Sequence, residues 1–116
     1  MTHSVFSSAN RKNPRHSVSI EVLLWSQQQR VQGCIADLAE GGCRLSCDEK
    51  LAVNEEMHLR FDLPYTTTTI RCDGCIVWSG GEPCGAGVEF LRMSEADRRR
   101  IAHWLENNSA SGEIVL

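Results

Sequence analysis

Six short segments of this chain have the composition or alternation of β-strands, and this limits the possible folds more than any other feature. In the clearest segment, Met57, Leu59, Phe61 and Leu63 alternate with polar residues. A period of two predicts strands with one buried face. The segments span residues 18–24, 31–36, 43–47, 57–63, 67–78 and 84–91. Short turns between most of them favour antiparallel neighbours in a small closed barrel.

The hydrophobic period changes after the last strand. Ser94 is followed three residues later by Asp97, a pattern typical of a helix start. An apolar stripe with helical spacing follows, at Ile101, Trp104 and Leu105. We therefore predict a helix over residues 95–106. The expected fold class is all-β: a six-stranded antiparallel β-barrel with a C-terminal α-helix.

The same elements predict the domain boundaries. Residues 1–10 are rich in serine and are expected to form a flexible N-terminal tail. Residues 11–106 would form the barrel domain with its helix. Residues 107–116 are expected to form a C-terminal tail. At 116 residues the chain has the length of one domain that can bury its own core.

Composition and charge exclude several classes of protein. The net charge is −3, so the field of the whole protein would repel a polyanion, and we expect no DNA or RNA partner. No apolar stretch reaches the length of about 18 residues that a transmembrane helix needs, so we expect no membrane insertion. The first ten residues also lack the apolar region of a signal peptide. The expected location is cytoplasmic, with the six cysteines reduced.

One pair of cysteines has a spacing that occurs in metal and redox sites. Cys72 and Cys75 form a C-x-x-C pair, and Cys43 and Cys47 could supply the second pair that a zinc site requires. Because Cys43 and Cys47 alternate with Leu45 in a predicted strand, we interpret them as core residues and expect no metal. The sequence contains no arrangement typical of catalysis, so we expect that the protein is not an enzyme.

Two polar clusters carry the candidate binding chemistry. The first contains Arg11 and Arg15, and Pro14 between them disfavours a helix. The second, residues 37–42, begins with Asp37 and ends with two glycines. An arginine fork can bind two phosphate oxygens or the O6 and N7 atoms of guanine. A carboxylate can accept hydrogen bonds from a guanine edge. The two clusters therefore favour a small anionic ligand that contains guanine.

Several of these residues also allow a second interpretation. Asp37 can cap the turn through its own side chain instead of binding a ligand. Gly41 and Gly42 mark a tight turn at which a positive φ can be required, and they also allow close approach of a ligand. We interpret the tryptophans as packing residues, with base stacking as the alternative for one of them: Trp25, Trp78 and Trp104.

In order and spacing, the two clusters resemble the motifs of the PilZ domain, the bacterial receptor module for cyclic di-GMP. The family pattern is Arg-x-x-x-Arg, then a hairpin, then Asp or Asn-x-Ser-x-x-Gly. Arg11, Arg15, Asp37 and Gly42 match this pattern, and residues 87–97 are similar to the family's last strand and helix start. The resemblance covers about residues 10–106. It implies a ligand site at Arg11, Arg15, Asp37, Ala39, Gly41 and Gly42, with Asn10, Lys12 and Gly87 as further candidates.

The resemblance also implies what the site does. The chain would be a cyclic di-GMP receptor or adaptor without a cofactor, and its arginine segment, within residues 1–17, would become ordered on binding and signal to an unidentified protein partner. Ala39 departs from the family pattern, which has serine there. A lost hydrogen bond of this kind costs about 0.5–1.5 kcal/mol, which would weaken binding. The alternative is a protein-interaction adaptor of the same fold that does not bind nucleotide.

Overall fold

Six antiparallel strands close into a barrel, and one helix follows them. The computed structural model describes residues 15–81 and 84–114, with side chains described for residues 17–81 and 84–108. The elements are β1 (Arg15–Trp25), β2 (Arg30–Ala39), β3 (Gly42–Cys47), β4 (Glu56–Asp62), β5 (Thr69–Gly80), β6 (Gly85–Arg92) and α1 (Glu95–Ile114). The predicted fold class is confirmed.

The strands are arranged around the barrel in the order β1-β2-β3-β6-β5-β4, and pairing of β1 with β4 closes the ring. Every pair is antiparallel. Because β3 pairs with β6 rather than with β4, the chain crosses the barrel between β3 and β4. These two strands therefore lie on opposite sides of the ring.

The barrel interior is filled by the apolar residues that alternate along the strands, as the sequence predicts. On β4, Met57, Leu59 and Phe61 are each at most 2% exposed, while the residues between them are exposed. Residues of every strand and of α1 belong to one core cluster. Burial of this apolar surface is the main favourable contribution to folding.

All six strands differ from their predicted limits by one or more residues, and the largest extensions are in β1 and β2. The first strand was expected from residue 18, but β1 begins at Arg15, and β2 continues past Asp37 to Ala39. The cause is the β1–β2 ladder, in which Arg15 lies opposite Ala39. Backbone hydrogen bonds can extend a hairpin through polar residues that show no apolar alternation. A register shift between Asp73 and Gly74 interrupts the β5–β6 ladder.

The start of α1 is confirmed, and its predicted end is wrong. The Ser94 hydroxyl accepts a hydrogen bond from the Asp97 backbone N–H at 3.0 Å. The helix continues to Ile114 and so includes most of the segment expected to be a C-terminal tail. No proline interrupts residues 107–114, and the Asn108 amide donates to the Trp104 carbonyl at 2.7 Å within the helix.

The helix packs against the barrel through its predicted stripe. Ile101, Trp104 and Leu105 are buried in the same core cluster as the strand residues, and α1 contacts β1 and β2. The Trp104 indole N–H donates to the Pro64 carbonyl in the β4–β5 connection at 3.0 Å. Within residues 15–81 and 84–114, no helix has the length and apolar character that crossing a membrane requires.

Candidate functional site

The second polar cluster lies on the outer face of the barrel, in a row that crosses five strands. In the ladder register Ser17 lies opposite Asp37, Asp37 opposite Arg44, Arg44 opposite Gly87, and Gly87 opposite Trp78. Residues directly opposite in a ladder are side-chain neighbours. The row therefore brings together side chains from β1, β2, β3, β6 and β5. We call it the Asp37 row.

A register shift in β2 places Asp37 on the outer face. The shift lies between Ile35 and Asp37, and Ile35 and Leu38, three residues apart, are both fully buried. A bulge of this kind adds one residue to the strand and redirects the side chains that follow it. Without it, the period of two would turn Asp37 towards the core with Ile35.

The Asp37 carboxylate already has partners on both sides. The Arg44 guanidinium donates to Oδ2 from Nε at 2.8 Å and also from Nη2, and the Ser17 hydroxyl donates to Oδ1 at 3.3 Å. The Asp37 side chain is 16% exposed, and that of Arg44 is 46% exposed. A carboxylate has about four acceptor sites, so Oδ1 has one acceptor site that no described side chain occupies.

Arg44 and Ser17 were not among the predicted site residues. The signal for Arg44 lies in the turn, because a two-residue connection that pairs Ala39 with Gly42 also pairs Asp37 with Arg44. The alternation of Cys43 and Leu45 into the core likewise directs Arg44 outward. The pairing of Ser17 with Asp37 depends on the β1–β2 register, which the sequence does not show.

Ala39 lies two residues beyond Asp37, at the end of β2. It pairs with Arg15 on one side and with Gly42 on the other. Its side chain is only 3% exposed, yet it is not part of the barrel core cluster. A serine hydroxyl at this position would therefore need a hydrogen-bond partner.

The predicted tight turn follows Ala39, but its backbone conformation differs from the expectation. Neither Gly41 nor Gly42 has a positive φ; among the described glycines only Gly80 and Gly81 do. The Gly41 carbonyl accepts a hydrogen bond from the Phe90 N–H of β6 at 2.8 Å. This hydrogen bond connects the turn to the neighbouring strand. Because neither φ is positive, glycine is not required here for a left-handed backbone.

Gly87 forms the floor of the row under an indole ring. A Cβ atom at Gly87 would lie 2.1 Å from Nε1 and 2.6 Å from Cδ1 of Trp78. Trp78 is half-buried, so one part of its ring covers Gly87 and another part is accessible. Packing explains both residues, and the accessible part of the ring belongs to the same row as Arg44.

Of the first polar cluster, the structure describes only the backbone of Arg15. Arg15 is the first residue of β1 and, through its pairing with Ala39, lies next to the Asp37 row along the ladder. Asn10, Arg11 and Lys12 lie outside the described residues, as does the predicted flexible tail of residues 1–10. Glu40 and Gly41 connect β2 with β3 immediately beside this point, and Gly42 is the first residue of β3.

The cysteines show the properties of packing residues. Cys43 is fully buried, which confirms its interpretation as core, and burial raises its pKa strongly. Burial also raises the pKa of Cys72 to about 12. Cys47 and Cys75 are half-buried, and desolvation raises the pKa of both. Among the described residues, no group of three or more His, Cys, Asp or Glu side chains is arranged to hold a metal ion.

Comparison with known proteins identifies a family. A family model described as the PilZ domain matches residues 9–107. A search of curated proteins found no match.

Solved structures show the same fold at low sequence identity. The Bacillus subtilis inhibitor of motility MotI/DgrA superposes with a TM-score of 0.77 and 12% identity, covering 87% of this chain and 52% of that chain. This chain therefore spans about half the length of that protein. The PilZ domain with c-di-GMP of YcgR from Escherichia coli superposes with a TM-score of 0.69 and 14% identity, covering 91% of this chain and 98% of that chain. The PilZ domain of CeSA from a cellulose-synthesizing bacterium superposes with a TM-score of 0.62 and 16% identity, covering 82% of this chain and 97% of that chain.

Proposed function

The chain belongs to the PilZ domain family, and on that premise we propose that it is a cyclic di-GMP receptor domain whose ligand binds along the Asp37 row. The observation that carries this proposal is the ladder register, which brings the start of β1 at Arg15 beside Ala39 and two residues from Asp37. The two halves of the family motif are thus adjacent in space, although 21 residues separate Arg15 from Asp37.

Each group in the row has a chemical role in this proposal. Arg11 and Arg15 would bind phosphate oxygens or guanine O6 and N7 through bidentate hydrogen bonds. Asp37 would use its remaining acceptor site on Oδ1 for a guanine N–H. Arg44, which is 46% exposed, would supply further donors, and the accessible part of Trp78 would stack on a base.

Arg44 also prepares the site before the ligand arrives. Its fork binds Asp37 through two nitrogens, which holds the carboxylate in one orientation. A preorganised acceptor loses less conformational freedom on binding. The ligand would therefore meet a fixed carboxylate on β2 together with the guanidinium groups of Arg11 and Arg15.

Ordering of the arginine segment would transmit the signal. In this proposal the ligand links Arg11 and Arg15 to the Asp37 row, so the chain before β1 takes one path across the barrel and alters the surface offered to a protein partner. A bacterial cytoplasmic location and the absence of catalysis belong to the same proposal. The family assignment and the fold support it.

The test is isothermal titration of the full chain with cyclic di-GMP, with GTP as the control ligand. Arg15→Ala is expected to weaken binding about tenfold or more, because a hydrogen bond to a charged group contributes about 1.5–3 kcal/mol. The matched control is Arg99→Ala on the exposed surface of α1, which should bind like the wild type. Equal affinity of Arg15→Ala and wild type would contradict the proposed site.

The conformational part has its own measurement. Amide hydrogen exchange within residues 1–17 should slow when the chain is saturated with cyclic di-GMP. Binding without added protection would retain the receptor and reject the ordering of the arginine segment.

A second candidate function is an interaction adaptor that does not bind nucleotide. Two observations favour it: Ala39 stands in place of the family's serine, and Arg44 and Ser17 already occupy much of the Asp37 carboxylate. Ala39→Ser separates the two functions. A receptor should gain affinity several-fold from one added hydrogen bond, whereas an adaptor should show no heat with cyclic di-GMP in either form.

A further inference from the structure

The side of the barrel opposite β3 carries arginines that the proposed nucleotide site does not use. In the ladder register Arg60 of β4 lies between Leu23 of β1 and Arg71 of β5. Both arginines are exposed, and neither makes an ion pair with any described residue. Like charges directly opposite each other destabilise an antiparallel pair. Barrel stability therefore does not explain this pair.

The neighbouring row adds an aromatic ring and a third exposed cation. Trp25 pairs with Arg30 on β2 and with His58 on β4, and the Trp25 and His58 ring centroids are 5.4 Å apart. Arg30 is exposed and, within the described part of the chain, also lacks an ion pair. Arg92, farther along the same row, is instead neutralised by Asp73 and Glu56.

These residues line one elongated groove rather than an enclosed cavity. Depressions of about 700, 550 and 340 Å³ follow one another on this face, and all three share Arg60. Trp25 lines two of them, and Arg71 lines two. Leu23 also lines two. The groove is thus a strip of mixed polar and apolar lining with guanidinium groups at its centre.

We propose that this groove, defined by Leu23, Trp25, Arg30, Arg60 and Arg71 and called the arginine groove, binds an acidic segment of a partner protein. A partner carboxylate would bridge Arg60 and Arg71, which removes their mutual repulsion and forms charge-assisted hydrogen bonds. An apolar partner side chain would pack on Leu23 and Trp25. At the groove, Leu23, Trp25 and Arg60 each pair with strands on both sides, so side chains rather than strand addition must provide the recognition there.

The charges around the groove favour a peptide over a nucleic acid. Glu21 and Asp62 line the 340 Å³ depression, and Asp73 lines the 700 Å³ depression. A continuous phosphate backbone would pass close to these carboxylates. A peptide can place one or two carboxylates at the centre and uncharged residues at both ends, so its charge complements that of the groove.

The position of the groove makes it independent of the Asp37 row. The groove is centred on β4 and the Asp37 row on β3, and these strands lie on opposite sides of the ring. A partner could therefore occupy the groove with or without nucleotide on the other face. The proposal does not rest on cyclic di-GMP binding and can fail or succeed separately from it.

The test measures binding of the full chain to a fluorescein-labelled octapeptide that has two glutamates at its centre and leucine, phenylalanine and serine on each side of them. Saturable binding is expected at low salt, and R60Q/R71Q should weaken it about tenfold or more through loss of the charge-assisted contacts. The control K50Q/R99Q removes two exposed cations that form no ion pair with the described side chains, and it should change the affinity less than twofold. Replacing every glutamate of the peptide by glutamine should abolish binding.

Several outcomes would overturn the proposal. One is the absence of saturable binding to wild type up to about 1 mM peptide. Another is equal weakening of peptide binding by both double variants. A third is tighter binding of an oligodeoxythymidylate of equal charge, which would assign the groove to nucleic acid. The thermal midpoint of R60Q/R71Q should equal or exceed that of wild type, because like-charge repulsion is removed. A clearly lower midpoint would show that the arginines are structural.

Discussion

At the scale of single residues, the candidate site depends on close contacts that tolerate little change. Gly87 is buried under the Trp78 indole, beside the ion pair of Asp37 with Arg44. A residue with a side chain at position 87 would displace the ring and disturb the neighbouring row. Its lack of a side chain is therefore required by packing, whether or not a ligand also contacts it.

Gly87→Ala is expected to lower the free energy of unfolding by about 1–3 kcal/mol, the usual cost of overpacking. The reason is the 2.1 Å approach of the new Cβ to Trp78 Nε1. Chemical denaturation followed by tryptophan fluorescence measures the loss. Gly85→Ala is the matched control, because the atom nearest to its new Cβ is the Leu45 carbonyl oxygen at 3.2 Å. Its loss of unfolding free energy should be clearly smaller.

A double-mutant cycle makes the assignment specific to the ring. In a Trp78→Ala background, Gly87→Ala should cost much less than it does in the wild type, since the clashing atoms are absent. If both backgrounds lose the same free energy, the cost does not arise from the indole.

At the scale of elements, α1 forms part of the same core as the barrel. Its stripe joins the strand residues in one cluster, and Trp104 fastens it to the β4–β5 connection through Pro64. A helix whose stability comes from such packing unfolds together with its support. The helix should therefore behave as a structural part of the domain rather than as an appendage.

Ile101→Ala is expected to destabilise the domain by about 2–5 kcal/mol, because it removes a fully buried side chain from the contact between α1 and the barrel. Glu106→Ala, on the exposed side of the same helix, should stay within about 0.5 kcal/mol of wild type. Denaturation followed by both circular dichroism and fluorescence would give the two values. Similar stability of the two variants would contradict docking of the helix.

Prediction from sequence succeeded where one element's own pattern was sufficient. The alternation on β4 and the stripe on α1 identified their buried residues correctly. The end of α1 was not predicted, because residues 107–114 lack an apolar stripe, and helices can continue through such residues by local hydrogen bonds. The early start of β1 was missed for a similar reason, since its limit depends on pairing with β2.

At the scale of the whole molecule, the response to acid should depend on a polar network that joins three strands. Asp73 of β5 contacts His58 of β4 at 2.6 Å and Arg92 of β6 at 3.0 Å. Hydrogen bonds first from Arg92 and then from His58 lower the pKa of Asp73 below its ordinary value of 3.8. The folded state therefore favours the ionised carboxylate more than the unfolded state does.

The sign of the pH dependence follows from this shift. A lowered pKa contributes stability that is complete above the ordinary value and is lost as the pH falls through the folded-state pKa. In Asp73→Asn, the fall in unfolding free energy from neutral pH to about pH 2 should be smaller than in wild type. Asp48→Asn, an exposed carboxylate without an ion pair among the described residues, should leave the acid-dependent loss almost unchanged. Equal acid sensitivity of wild type and Asp73→Asn would contradict the role of the network.

The candidate site could be predicted from sequence only in part. Asp37 and the turn at Gly41 and Gly42 were identified by motif, and the structure places them beside the start of β1. Arg44 and Ser17 were not identified, because their relation to Asp37 is a cross-strand contact. The facing arginines Arg60 and Arg71 carry no sequence motif, since only the β4–β5 register makes them neighbours.

The sequence by itself determined the number of strands, their buried faces, the helix start and the family to which the chain belongs. Each of these follows from a periodic pattern or a motif that spans only a short stretch of sequence. The tertiary structure alone decided which strands are neighbours, the register between them and the bulge that turns Asp37 outward. Register and closure arise from hydrogen bonds and packing between residues far apart in the chain. The Asp37 row and the arginine groove exist only through those long-range contacts.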